Sequence, residues 1–201
     1  MSSLQVPSAN PNAVISPNFC APHPIQLSIK KKVYFFAGHE YEVEDDTNGR
    51  LLFKIKWMSG KLVIFDAAGN PIVTLGPKLS SNRCRWHVFR GESKENRDMI
   101  FSARFSSVFH IIPDSDVFLP SNTAERVCDF KLKTPFSSKT WDIYGPSSSL
   151  IAQMKSKISA GSIFLGKIHF MVTVNPNVDH VFIVALILIH FVNIMRRRGM
   201  Y

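Results

Sequence analysis

Residues 181–195 read Val-Phe-Ile-Val-Ala-Leu-Ile-Leu-Ile-His-Phe-Val-Asn-Ile-Met, fifteen positions without a formal charge, and Arg196, Arg197 and Arg198 follow directly. Asn177 and Asp179 stand before the run as candidate caps, and the arginines suit the negative end of a helix dipole. The stretch therefore predicts one helix that is apolar on nearly every side. Such a helix is enclosed either by protein or by lipid. Fifteen residues rise about 22 Å against a hydrocarbon core of roughly 30 Å. His190 and Asn193 also interrupt the run, so length and polarity favour protein. The lipid reading stays open, because a short apolar tail followed by arginine is also the pattern of a C-terminal anchor.

What precedes the helix has the texture of an all-β domain. From Ile25 onward, runs rich in Val, Ile and Phe alternate with Gly, Pro, Asn and Asp about every ten residues. Asn48-Gly49, between Tyr41-Glu42-Val43 and Leu51-Leu52-Phe53, predicts a type I′ hairpin turn, whose positive φ values Asn and Gly tolerate. Gly69-Asn70-Pro71 separates runs at 62–65 and 72–75, and Gly145-Pro146 separates 141–144 from 150–154. Further strands are expected at 86–90, 99–103, 127–133 and 170–174, and Gly161 and Gly166 punctuate one more at 163–165. At 127–133, Cys128, Phe130 and Leu132 alternate with Val127, Asp129, Lys131 and Lys133, giving one dry face and one wet face. Strands of this kind build a sandwich or a barrel.

The whole chain has 201 residues, 45% of them hydrophobic and 19% charged, which suits one globular domain with a substantial core. Residues 1–24 carry Pro7, Pro11, Pro17, Pro22 and Pro24 among small polar residues, and are expected to form a flexible leader. The absence of Asp, Glu, Lys and Arg from the first 29 residues removes the basic start of a secretory signal. Cys20, Cys84 and Cys128 form an odd set without metal-binding spacing, which points to a reducing, cytoplasmic-side protein. The net charge is +9, and two clusters, Lys30-Lys31-Lys32 and Arg196-Arg197-Arg198, supply six of those nine charges. Two clusters fit an anionic membrane surface at least as well as nucleic acid, which selects for basic residues spread over one face.

Several blocks then carry a resemblance. Asn-Gly-Arg-Leu-Leu-Phe-Lys at 48–54, Asp-Ala-Ala-Gly-Asn-Pro-Ile-Val-Thr-Leu at 66–75 and Trp-His-Val-Phe-Arg-Gly at 86–91 are similar to the plant LURP-one-related family. So are Asp-Val-Phe-Leu at 116–119, Val-Cys-Asp-Phe at 127–130, Val-Thr-Val-Asn-Pro-Asn-Val-Asp at 172–179 and Ile-Val-Ala-Leu at 183–186. The resemblance spans roughly residues 19–189. It implies a mainly β, tubby C-terminal-like fold, related to the phospholipid scramblases. The expected architecture is a closed antiparallel barrel of about twelve strands around a central hydrophobic C-terminal helix. Residues 25–195 would form this domain, with the helix at about 178–194 and a basic tail at 196–201. Two departures stand out. Trp57-Met58-Ser59-Gly60 replaces the family's longer basic hairpin, and the helix leaves through arginines where relatives use acidic residues.

Motifs for nucleophilic, nucleotide or metal chemistry are missing from the sequence, so neither an enzyme nor a cofactor is expected. His87 reads as a structural strand histidine. Asp114 and Asp116, beside Pro113 and Ser115, read as turn formers rather than a catalytic pair. Arg83, Arg85, Arg90 and Arg97 gather around one hairpin. The lipid-headgroup candidates are Lys30, Lys31, Lys32, Arg196, Arg197 and Arg198. Cys20, on the leader beside the lysines, is a candidate for reversible acylation, which would give a two-signal anchor. Cys84 and Cys128 read as small barrel hydrophobes. The resemblance implies a defence-linked, membrane-tethering or transcription-regulatory monomer in the cytoplasm, at the plasma membrane or in the nucleus. Anionic phospholipid, with phosphoinositides foremost, is preferred to nucleic acid as partner. A scramblase-like protein with a C-terminal tail anchor is the alternative.

Overall fold

The computed structural model describes residues 10–34, 38–78, 80–107, 109–110, 113–135, 140–157 and 168–199. Twelve strands follow one another along the chain: β1 (Ile25–Tyr34), β2 (Gly38–Asp45), β3 (Leu51–Met58), β4 (Lys61–Asp66), β5 (Pro71–Pro77), β6 (Trp86–Arg90), β7 (Met99–Phe105), β8 (Ser115–Phe118), β9 (Phe130–Lys133), β10 (Thr140–Tyr144), β11 (Leu150–Ser156) and β12 (His169–Val174). Each pairs antiparallel with its neighbours in sequence, and β12 returns to β1 with Ile25 opposite Val174, closing the barrel. Closure leaves no free edge to template aggregation. The period-2 pattern sets the inside. Phe170, Val172 and Val174 of β12 and Trp141 and Ile143 of β10 are buried, while the residues between them stay partly exposed.

Barrel diameter grows with strand number, and about eight strands already leave an interior that side chains just fill. A twelve-stranded barrel needs something more, and α1 (His180–Arg197) supplies it. Every α1 residue at 181–195 is buried, which is why its sequence shows no polar stripe. Phe182 packs against Phe101 and Phe130 with ring centroids 5.1 and 4.8 Å apart, and Phe191 meets Phe170 at 5.1 Å. By length and composition the helix is capable of crossing a membrane, yet 83% of it is buried in its own protein. This packing corrects the tail-anchor alternative, since a helix placed in lipid would strip the barrel of its core.

Asp179 fastens the start of α1. Its Oδ1 accepts from the Phe182 N–H at 3.0 Å, and its Oδ2 accepts from the Ile15 and Ser16 N–H groups at 2.7 and 2.9 Å. Those contacts correct the expectation of a wholly flexible leader. From Asn10 onward the leader lies across the mouth where α1 begins, with Ile15 buried in the core and the Asn177 N–H donating to the Ala21 carbonyl at 2.7 Å. Proline richness signals poor self-sufficiency, but a fully buried carboxylate that needs donors supplies the missing partner. Residues 1–9 lie outside the described residues, as does the expected strand at 163–165.

Local corrections follow from turn chemistry. Asn48-Gly49 does not form a two-residue type I′ turn. The Asp45 carboxylate accepts from the Thr47 N–H and the Asn48 side chain, and only Gly49 is left-handed, at φ 70°, in a longer loop closed by Asp45 and Arg50. The two-residue turn with positive φ at both positions is Ser59-Gly60, at 47° and 78°, in the hairpin expected to be shortened. Asp116 is no turn former. It sits in β8, where it faces Lys131 at 3.1 Å. The strand expected from 127 begins only at Phe130, because the preceding loop turns Val127 out to 77% exposure.

Candidate functional site

The mouth where α1 leaves the barrel gathers the ends of β3, β5 and β7 and the starts of β4, β6 and β8. Asn193 ties the helix to this mouth. Its Oδ1 accepts from Trp86 Nε1 at 2.7 Å, and its Nδ2 donates to the Cys84 carbonyl at 2.9 Å. One turn farther on, the Arg196 guanidinium stacks over Trp57 and Trp86, 5.5 and 5.2 Å from the ring centroids. Arg197 lies over Phe105 at 5.5 Å and donates to the His110 carbonyl at 3.1 Å. Beside them, Phe109 is 92% exposed and Met58, at the end of β3, is 45% exposed. The mouth thus presents apolar side chains among arginines, a pairing suited to an interface that is apolar below and anionic above. The opposite mouth interleaves its cations with Asp45 and Asp66 at the ends of β2 and β4 and with Asp46 and Asp98 between strands.

On the outer wall beside the exit mouth, the β5–β6 loop and β7 form a shallow, open cavity of about 270 Å³ lined by Lys78, Arg83, Arg85, Arg104 and residues 80–82. Glu125 reaches Arg85 and Arg104 from the long β8–β9 loop. Arg85 donates to both of its carboxylate oxygens at 2.6 Å, and Arg104 lies 2.9 Å from Oε2. Hydrogen bonds from Arg85 hold the Glu125 carboxyl below the usual carboxylate range. Arg104 also lies over the Phe118 ring at 4.6 Å, and Arg85 donates to Ser102 Oγ at 3.0 Å, so both guanidiniums are fixed in place. Burial depresses the Arg104 pKa, and its Nε is a buried donor that meets no acceptor among the described residues.

The lysine cluster differs from its sequence reading. Lys30, Lys31 and Lys32 belong to β1, and strand alternation divides them between two faces. Lys30 pairs with Glu44 at 2.6 Å and Lys32 with Glu42 at 3.1 Å, while Lys56 of β3 pairs with Glu40 at 3.0 Å. Lys31 shares the register of Leu27 and Ile29 and is half-buried, which lowers its pKa. The cluster is therefore one side of a Lys/Glu ladder rather than a bare patch. Cys20 bridges to Asp179, and burial pushes its thiol up to about 11, a weak starting point for modification through thiolate. Cys84 and Cys128 lie in loops outside the strands, and Cys84, at φ 51°, packs against the core as the small hydrophobe expected.

Lys78, Arg104, Glu125 and Phe109 went unsinged out in the sequence. A basic residue every few positions is ordinary, and only the pairing of β6 with β7 and the return of the β8–β9 loop bring 78–85, 104 and 125 together. His87 faces outward beside this cluster, and burial, followed by Lys78 and Arg85, lowers its pKa. Among the described residues no three His, Cys, Asp or Glu side chains gather in a metal-holding group.

Comparison with known proteins completes the description. A family model described as LURP-one-related matches residues 25–191. Protein LURP-one-related 10 of Arabidopsis thaliana is 42% identical over 183 residues, covering 88% of this chain and 94% of the relative. Protein LURP-one-related 15 of the same plant is 40% identical over 181 residues, covering 88% and 83%. An X-ray structure of an Arabidopsis thaliana protein superposes with a TM-score of 0.68 at 34% identity, covering 90% of this chain and 99% of that one.

Proposed function

The chain belongs to the LURP-one-related family, and on that premise we propose that it is a non-enzymatic barrel that tethers peripherally to anionic membranes through its helix-exit mouth. The observation that carries this reading is the 92% exposure of Phe109 beside Arg197, whose guanidinium holds the carbonyl of the adjacent His110. An exposed Phe is costly in water and gains at the headgroup boundary, while arginines there meet phosphates and carboxylates. A non-enzymatic role is supported by the use of the buried polar groups in holding the fold: Asp179 caps α1, and His190 is bonded to Ser115 and Thr134. The defence and transcriptional roles implied by the family resemblance would be exercised from this tethered position in the cytoplasm.

Sedimentation with phosphatidylcholine vesicles, with and without phosphatidylserine, tests the reading. The protein is expected to bind only the anionic vesicles, less so as salt rises. The double variant Phe109→Ser/Arg198→Glu is expected to lose about tenfold or more, because each charge near an anionic leaflet is worth about 1 kcal/mol and a reversal counts twice. Equal sedimentation with both vesicle types, or an unaffected variant, would remove this mouth from membrane contact.

A further inference from the structure

We infer that the cavity between the β5–β6 loop and β7 is a binding site for a phosphate group, carried either by a soluble phosphorylated molecule or by a lipid headgroup. The lining makes the chemical choice. Lys78, Arg83, Arg85 and Arg104 converge on a volume of about 270 Å³, residues 80–82 add two hydroxyls and an amide, and none of the described lining residues is acidic or apolar. Pockets for drug-sized ligands run larger, roughly 300–1,000 Å³, and are lined mainly by hydrophobic side chains. This one suits a compact, highly charged anion, and guanidinium forks match phosphate oxygens in geometry as well as charge.

Two further observations separate this site from a solvated basic patch. Glu125, held at the left-handed φ of 46°, engages Arg85 and Arg104 without itself lining the cavity. Its carboxylate therefore orients the two guanidiniums, so that less side-chain freedom is lost when an anion binds. Arg104 Nε is a buried donor without an acceptor among the described residues, so the protein alone leaves this guanidinium incompletely satisfied at the edge of the cavity. Lys78 and Arg83 contribute the less constrained charges: neither makes an ion pair within 4.0 Å among the described residues. The site adds a specific ligand to the membrane reading without depending on it, because it requires a phosphate and not a bilayer.

Isothermal titration of the full chain with inositol hexakisphosphate, beside sedimentation with phosphatidylcholine vesicles containing phosphatidylinositol bisphosphate, tests the inference. The key variant is Lys78→Ala/Arg83→Ala. Its control, Lys94→Ala/Arg97→Ala, removes the same charge at the opposite mouth. The expected result is a loss of about tenfold or more in the pocket variant and little change in the control, since hydrogen bonds to charged groups are the stronger class. Pocket-dependent binding of the soluble probe assigns a soluble ligand, and pocket-dependent binding of the vesicles alone assigns a headgroup. Arg104→Lys keeps the charge but removes the guanidinium fork, and is expected to weaken binding several-fold while the circular dichroism spectrum is retained. The inference is overturned if neither probe binds, or if both double variants weaken binding equally. Vesicle binding lost in Phe109→Ser/Arg198→Glu but intact in the pocket variant would leave the membrane reading standing and sink this one.

Discussion

Trp86 and Asn193 are hydrogen-bonded across the barrel interior, Nε1 of the wall residue donating to Oδ1 of the core helix at 2.7 Å. Among the described residues, two buried polar side chains of the helix make such ties to the wall. The other is His190, whose ring nitrogens lie 2.8 Å from Ser115 Oγ and 3.0 Å from Thr134 Oγ1. Apolar packing alone tolerates rotation or sliding of a uniformly hydrophobic helix, whereas a buried polar group is satisfied in one register only. The two residues that speak against a lipid setting are thus the ones that fix the helix within its barrel.

Asn193→Leu is expected to destabilise the protein by about 2 kcal/mol, because it leaves the Trp86 N–H and the Cys84 carbonyl without their partner in a buried setting. Urea unfolding followed by tryptophan fluorescence measures it. Combining the variant with Trp86→Phe should recover part of the loss, since the orphaned indole donor is then gone. A single variant as stable as the parent would show that the latch has no energetic role.

His190 makes stability depend on pH in a defined direction. Complete burial lowers its pKa from 6.5 to about 3, so between those values the unfolded chain takes up a proton that the native chain refuses. Stability contributed by the neutral ring is therefore present above about 6.5 and lost as pH falls toward 3. His180, His169 and His87 are lowered by burial too, and Asp179 is raised, so the parent reports all of them together. The difference between the parent and His190→Gln isolates one group. The variant is expected to be less stable at neutral pH, with the gap closing on acidification by up to about 1.4 kcal/mol per pH unit. A gap independent of pH would mean that His190 takes up its proton as readily in the folded protein as in the unfolded chain.

The barrel was legible because period-2 runs and a helix without a polar side admit few arrangements, and the family blocks lie on strands, beside them or on α1. Phe130 and Leu132 face inward as the alternation requires. The leader was not legible. Its composition describes what residues 10–24 cannot do alone, and the demand from the buried Asp179 carboxylate arises only once α1 is inside the barrel. The candidate site was legible only in Arg83, Arg85 and the terminal arginines. Glu125 lies 40 residues from Arg85 in the chain, and no periodicity links a loop carboxylate to a strand across that separation. Lys30 and Lys32 were legible as charges but not as partners, since that depends on the β1–β2 register.

That register decides how the lysines should behave at a membrane. Lys30 and Lys32 are only 39% and 45% exposed at the side chain, and each is opposed by a glutamate. Replacing the lysines alone is a poor test. Lys30→Ala/Lys32→Ala would uncover Glu44 and Glu42, and the resulting repulsion would weaken vesicle binding even if the lysines never touched lipid. The discriminating variant removes both pairs together, with Lys30, Lys32, Glu42 and Glu44 all replaced by Thr, a residue that suits a strand. The local charge is unchanged, and each partly exposed pair contributes about 0–1 kcal/mol to stability, so the barrel should still fold. Sedimentation with phosphatidylserine-containing vesicles is expected to stay within about twofold of the parent, because the attraction set by net charge is preserved. A tenfold loss in this neutral variant would instead make the β1–β2 face a contact surface in its own right and displace the helix-exit mouth as the membrane-facing side.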